Sequence, residues 1–200
     1  KILTLIVLLS YTCIYANKKT SRYRPPKTIA EVWAPPTRGE FCESLALQSA
    51  AFRYDITEYA VFKNVEYGLM GSRFQIAGEL DLLVIKLREK TKGIIEVGEV
   101  KCSRNSGHAL AKAKRQLEKF QMLLKKHCQR RNPLPLFLSI DQQLIQTPCD
   151  NYSTAEYNTY GPRDQPGFDI HLDYSLQEID ETFREISTEE AEIKNEILGN

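Results

Sequence analysis

Two runs of this chain are built like the core of a sheet and yet carry charge. FQIAGELDLLVI (74–85) and GIIEVGEV (93–100) are apolar and rich in β-branched residues, and a charged turn joins them. Each reads as a buried or half-buried strand. Glu79, Asp81 and Glu99 lie inside these runs, and Lys101 closes the second. Burying an ionised side chain costs several kcal/mol unless it is paired or bound to a metal. Either the four groups face water, or the fold keeps them for chemistry.

Alternation along a strand points Glu79 and Asp81 one way, and Glu99 and Lys101 likewise. Adjacent strands then bring all four to one side of the sheet. Asp81 and Glu99 placed side by side repel unless something positive lies between them. A hard divalent cation, Mg²⁺ (or Mn²⁺), fits, since Mg²⁺ is usually held by one or two carboxylates together with water and phosphate. The carbonyl of Val100, between the two charged positions, is the natural third ligand. Lys101 is then placed to position or deprotonate a water activated by the metal. Glu79 keeps two readings: a further metal ligand, or an ion-pair partner of Lys101 in the metal-free protein.

At 200 residues, one domain is the default. KILTLIVLLSYTCIYA (1–16) has the layout of a secretory signal peptide cleaved after Ala16 and is short for a membrane span. A secreted protein with no stable membrane insertion is therefore expected; if the segment is retained, the alternative is an intracellular protein. Residues 17–38 form a basic, Pro-rich arm, either a polyanion contact or a solvated linker. Removing Cys13 with the signal leaves an even number of cysteines, none at zinc-ligand spacing. Cys42 and Cys102 read as buried free thiols, and Cys128 with Cys149 as the plausible bridge.

Thr37 and Glu40 match a capping box, so a helix is expected from there to about Tyr54. Glu43 shares its face with Ala46, Leu47 and Ala50, where a carboxylate needs a partner. A short strand follows near 60–67, then the two quoted strands, then a helix from about His108 to Gln129. That helix sets Ala109, Ala113, Leu117, Phe120 and Leu124 on one side. Lys112, Arg115, Lys119, Lys126 and Arg130 form a basic stripe on the other. PLPLFLSI (133–140) reads as a strand, 152–166 as a polar loop, and GFDIHLDY as an amphipathic strand. Residues 175–200 read as an acidic amphipathic helix, open to packing on the domain, to a protein partner or to shielding the basic stripe.

Taken in order, helix, three strands, helix, strand, with Glu43, Asp81 and Glu99-Val100-Lys101 at these places, the segment 39–140 resembles the PD-(D/E)xK nucleases. The resemblance implies an α/β restriction-endonuclease-like core, a central mixed four-stranded sheet flanked by helices (αβββαβ), within a domain spanning 39–174. It also implies metal ligation by Asp81 and Glu99, completed by Glu43 as in resolvase-like members, with Lys101 assisting the attacking water. Gln116 falls where RecB-like relatives carry QxxxY, and is implied to steady water or substrate. Phe120 stands in place of the tyrosine, and Leu80 in place of the proline before Asp81.

The basic stripe suits phosphate neutralisation, giving salt-sensitive backbone recognition of DNA or RNA. The expected function is metal-dependent phosphodiester hydrolysis. The alternative is a catalytically silent nucleic-acid- or protein-binding module that keeps the fold. His108 reads as a helix-start residue, His127 and His171 have no partner at metal-ligand spacing, and turn chemistry accounts for Ser103 and Ser106.

Overall fold

The computed structural model describes residues 37–55, 57–87, 93–129, 135–150 and 152–198, with side chains through Thr188. The expected signal segment, nearly all of the basic arm and Arg130 lie outside them.

Helix α1 (Arg38–Arg53) starts where the capping box places it. Thr37 Oγ1 accepts the Glu40 amide at 3.2 Å, and Glu40 Oε2 accepts the Thr37 amide at 2.7 Å. Cys42, Ala46 and Ala50 form its buried stripe. Such small residues let the helix approach the sheet closely. After it come β1 (Tyr59–Met70), β2 (Phe74–Lys86), β3 (Ile94–Val100) and helix α2 (Ser106–His127), capped by Asn105. The chain continues through β4 (Leu136–Ile140), β5 (Gln143–Gln146), β6 (Glu156–Gly161), β7 (Ile170–His171) and helix α3 (Leu176–Leu198).

The strands form one mixed seven-stranded sheet in the order β5-β4-β1-β2-β3-β6-β7. Pairing is antiparallel from β5 to β3 and parallel from β3 to β7. Its two faces carry separate cores. Leu117, Phe120 and Leu124 of α2 cover Val65, Leu83 and Val97 on one face. Cys42, Ala46 and Ala50 of α1 pack with Leu82, Val84 and Tyr160 on the other. Gly98 is the contact that lets β3 and β6 close on that second face. A Cβ there would stand 2.8 Å from the Tyr160 ring.

Two strands differ from the sequence reading. The stretch expected as a polar loop contains β6, which starts at exposed Glu156 and runs through half-buried Tyr157 and Asn158 to buried Thr159, Tyr160 and Gly161. GFDIHLDY supplies only the two-residue β7. With β5, which the sequence reading did not anticipate, the sheet has seven strands rather than four.

The cysteines also differ. Cys128 bonds Cys149 as expected, but Cys42 bonds Cys102, so neither of those is a free thiol. Cys42 is buried and Cys102 half-buried where α1 meets the end of β3, which brings their Cα atoms to 6.4 Å. Residues 37–181 form one compact unit, and α3 continues from it into a second. Within the first unit, Ile179 is buried and Asp180 pairs with Arg38 at 3.1 Å. Among the described residues, no helix is long and apolar enough to cross a membrane.

The Cys42–Cys102 bridge spans 60 residues and Cys128–Cys149 spans 21, worth about 4 and about 3 kcal/mol in chain entropy. Urea denaturation should show a larger loss for Cys42→Ser/Cys102→Ser than for Cys128→Ser/Cys149→Ser. The reverse order would show that chain entropy is not the dominant effect.

Candidate metal centre at the end of β2 and β3

The β2–β3 ladder runs from Ile85 with Ile94 to Leu82 with Gly98, and stops there. Beyond it the strands part, and side chains fill the gap. Asp81 Oδ2 accepts the Val100 amide at 2.7 Å and the Lys101 ammonium at 2.7 Å. Lys101 Nζ also donates to Glu99 Oε2 at 3.0 Å. Asp81 is 6% exposed and Glu99 0%. Two buried carboxylates thus share one ammonium. Glu99 Oε1 is buried with no hydrogen-bond partner.

That imbalance sets the electrostatics. Burial, then the charge of Asp81, pushes the Glu99 carboxyl up to about 8, with Lys101 pulling the other way. Burial would lower the Lys101 amine, but Asp81 and Glu99 together hold it above its usual value. Lys101 is therefore a firm ammonium here. It is suited to orienting water and balancing charge rather than to removing a proton.

Glu43 comes from α1, half-buried, and makes no hydrogen bond or ion pair among the described residues. Burial and then Asp81 raise its carboxyl, while Lys101 and Lys63 lower it, so it lies in the field of the same cluster. Glu79 is raised by burial, Asp81 and Glu66, but it is exposed. Lys101 pairs with Asp81 and Glu99 rather than with Glu79, because those two flank it at the parting of the strands. Gln116 lies on α2 between buried Ala113 and Leu117, and its Oε1 is buried and unpartnered. One turn on, the Phe120 ring meets Tyr67 edge-on at 4.9 Å, and the Tyr67 phenol is raised by burial and by Glu99.

Lys112, Arg115, Lys119 and Lys126 are exposed on α2, with Lys119 Nζ donating to the Ala77 carbonyl. His108 is exposed at the helix start. Ser103 Oγ accepts the Asn105 amide at 3.3 Å, a turn contact. His127, Cys128 and Cys149 bring ligand-type atoms within 4.8 Å of one another. The two sulfurs are bonded to each other, and both His127 nitrogens are hydrogen-bonded, one to the Thr147 carbonyl and one to the Leu136 amide. That group has no free donor for a metal.

One buried carboxylate was missed by the sequence reading. Glu96 is 0% exposed, on the α1 face of β3. It accepts from Tyr54 at 2.7 Å, Asn158 at 3.0 Å, Arg53 at 3.2 Å and the Tyr160 hydroxyl. Burial opposes its charge, but these donors win and hold its carboxyl below the usual range. Parity gave the available signal: 96 and 99 differ by three, so they point to opposite faces. Comparison with protein-family models, with curated proteins and with solved structures finds no match for this chain.

Glu96 and Glu99 make opposite predictions. Glu99 is raised in the fold, so its stabilising contribution is full below the ordinary 4.5 and is lost as pH rises through about 8. Glu96 is depressed, so its contribution holds above the ordinary carboxylate range and fades on acidification. In EDTA, Glu99→Gln should raise the Tm at alkaline pH, with the gain vanishing toward the ordinary carboxylate range. Glu96→Gln should lower it throughout the neutral range. Parallel behaviour of the two variants in a pH series of thermal melts would contradict this division.

Proposed function

We propose that this chain is a Mg²⁺- or Mn²⁺-dependent nuclease built on a restriction-endonuclease-like core. The observation that carries the reading is the pair of buried carboxylates with one ammonium between them and one Glu99 oxygen left over. Such an oxygen costs about 1–3 kcal/mol or more unless a hydrogen-bond donor or a cation meets it, and no donor does so among the described residues. The element order α1-β1-β2-β3-α2-β4 supports the core assignment. The donor set also fits the group: Asp81, Glu99 and the Val100 carbonyl are hard oxygens of the kind Mg²⁺ takes, and Glu43 extends them.

The metal, when bound, supplies Lewis acidity and eases ionisation of water. The residues do the rest. Asp81 and Glu99 hold the cation, and the Lys101 ammonium orients the attacking water and balances charge on the phosphate. Gln116 steadies water or substrate. Water oxygen bonds to phosphorus as the bond to the leaving sugar oxygen breaks; the water's proton passes to solvent, and the leaving oxygen takes a proton from solvent to become a hydroxyl. The exposed lysines and Arg115 of α2 hold the phosphate backbone, and the two disulfides favour an oxidising, secreted setting.

The test is cleavage of single- and double-stranded DNA and RNA with Mg²⁺, Mn²⁺ or EDTA. Activity should require metal, vanish in Asp81→Ala, and be lost in Lys101→Ala with nucleic-acid binding retained. Binding without cleavage of any substrate would replace this reading with the silent binding module. Each of Lys112→Ala, Arg115→Ala and Lys126→Ala should reduce the slope of log affinity against log salt by about 1. An unchanged slope would place the substrate elsewhere.

A further inference from the structure

Asp81 is held out of the ladder on its other side as well. Strands β1 and β2 keep one register from Tyr59 with Lys86, through Lys63 with Leu82 and Val65 with Leu80, to Tyr67 with Gly78. The intervening rung, Asn64 opposite Asp81, is missing. Asn64 has a φ of 53°, in the left-handed region, in mid-strand. That conformation crowds Cβ against the backbone, and Gly enters it freely, Asn tolerably and most other residues rarely.

The side chains record what this does. Ahead of Asn64, Val61 belongs to the α1 core and Phe62 to the α2 core. Beyond it, Val65 and Tyr67 belong to the α2 core. Odd positions of β1 therefore change sides at Asn64. β2 does the same at the same rung: Leu80 lies in the α2 core, but Leu82 and Val84 lie in the α1 core, with Leu83 and Ile85 behind them. A regular strand alternates strictly with period two. Both strands break the alternation here while keeping their register, and on β2 the residue at the break is Asp81. Freed from pairing with either neighbour, its carboxylate turns to the Val100 amide and the Lys101 ammonium.

Nothing about the Asn64 side chain explains the residue. It is exposed and makes no hydrogen bond among the described residues. The backbone does explain it. We infer that Asn64 is a positioning residue, whose left-handed backbone sets the kink that aims the Asp81 carboxylate at Val100 and Lys101. The effect on cleavage rests on the nuclease reading; the effect on Asp81 does not.

Amide hydrogen exchange followed by NMR in EDTA separates the two. Asn64→Gly should keep Val100 protected as in the parent protein. Asn64→Ala and Asn64→Val should speed Val100 exchange at least about tenfold, as Asp81→Ala does, with core amides such as Leu83 far less affected. In the same order, the Mg²⁺ concentration for half-maximal cleavage should rise, with Asn64→Gly preserving it. If Val does not fold, the Ala variant decides. Unchanged Val100 exchange in a folded Ala variant overturns the inference, and so does equal acceleration at Val100 and Leu83, which marks general loosening. If the parent protein cleaves nothing, the nuclease reading falls, and the exchange comparison still decides the role of Asn64.

Discussion

Two buried carboxylates sharing a single ammonium are the constraint around which this fold is arranged. Carboxylates this close are costly to ionise together, and the cost grows as water is excluded. A fold that only needed stability would replace Glu99 with an apolar residue, as buried ion pairs can often be replaced without loss. This one instead ends the β2–β3 ladder early, turns Asp81 onto a backbone amide, and leaves a Glu99 oxygen unsatisfied. Local rules are broken here inside an otherwise consistent core, which is the pattern the proposed site rests on.

The remainder of the unit holds that arrangement in place. Helix α1 carries Glu43 and is fastened near both ends. Toward its start, Cys42 is bonded to Cys102, so the bridge joins the immediate neighbour of Glu43 to the immediate neighbour of Lys101. At its end, Arg53 and Tyr54 clasp Glu96 of β3 together with Tyr160 and Asn158 of β6. Glu96 and Glu99 lie three residues apart on one strand and show the two fates of a buried carboxylate. One is saturated by donors and structural, and the other is under-satisfied.

Much of this was legible in the sequence where one residue type had one local cause. The capping box at Thr37 and Glu40, the apolar stripe of α2 and the two charged strands follow from periodicity and local hydrogen bonding. So did the assembly of Asp81, Glu99 and Lys101. Three features depended on contacts far apart in the chain. β6 is polar where it is exposed and is recruited as a strand only by its parallel pairing with β3. Cys42 and Cys102 meet only because α1 crosses the end of β3. The break at Asn64 upset the simple alternation that placed Glu79 beside Asp81, and no propensity marks a left-handed Asn in mid-strand.

Metal binding followed by calorimetry, in buffers of different ionisation heat at neutral pH, reads the proton on Glu99 and the cation site together. Glu99 is pushed up to about 8, so a cation that occupies the centre must displace its proton. Mn²⁺ binding should be saturable with release of up to about one proton, with no release in Glu99→Gln and weakened binding in Asp81→Ala. Binding that releases no proton, or that is indifferent to both substitutions, would contradict a metal centre at Asp81 and Glu99.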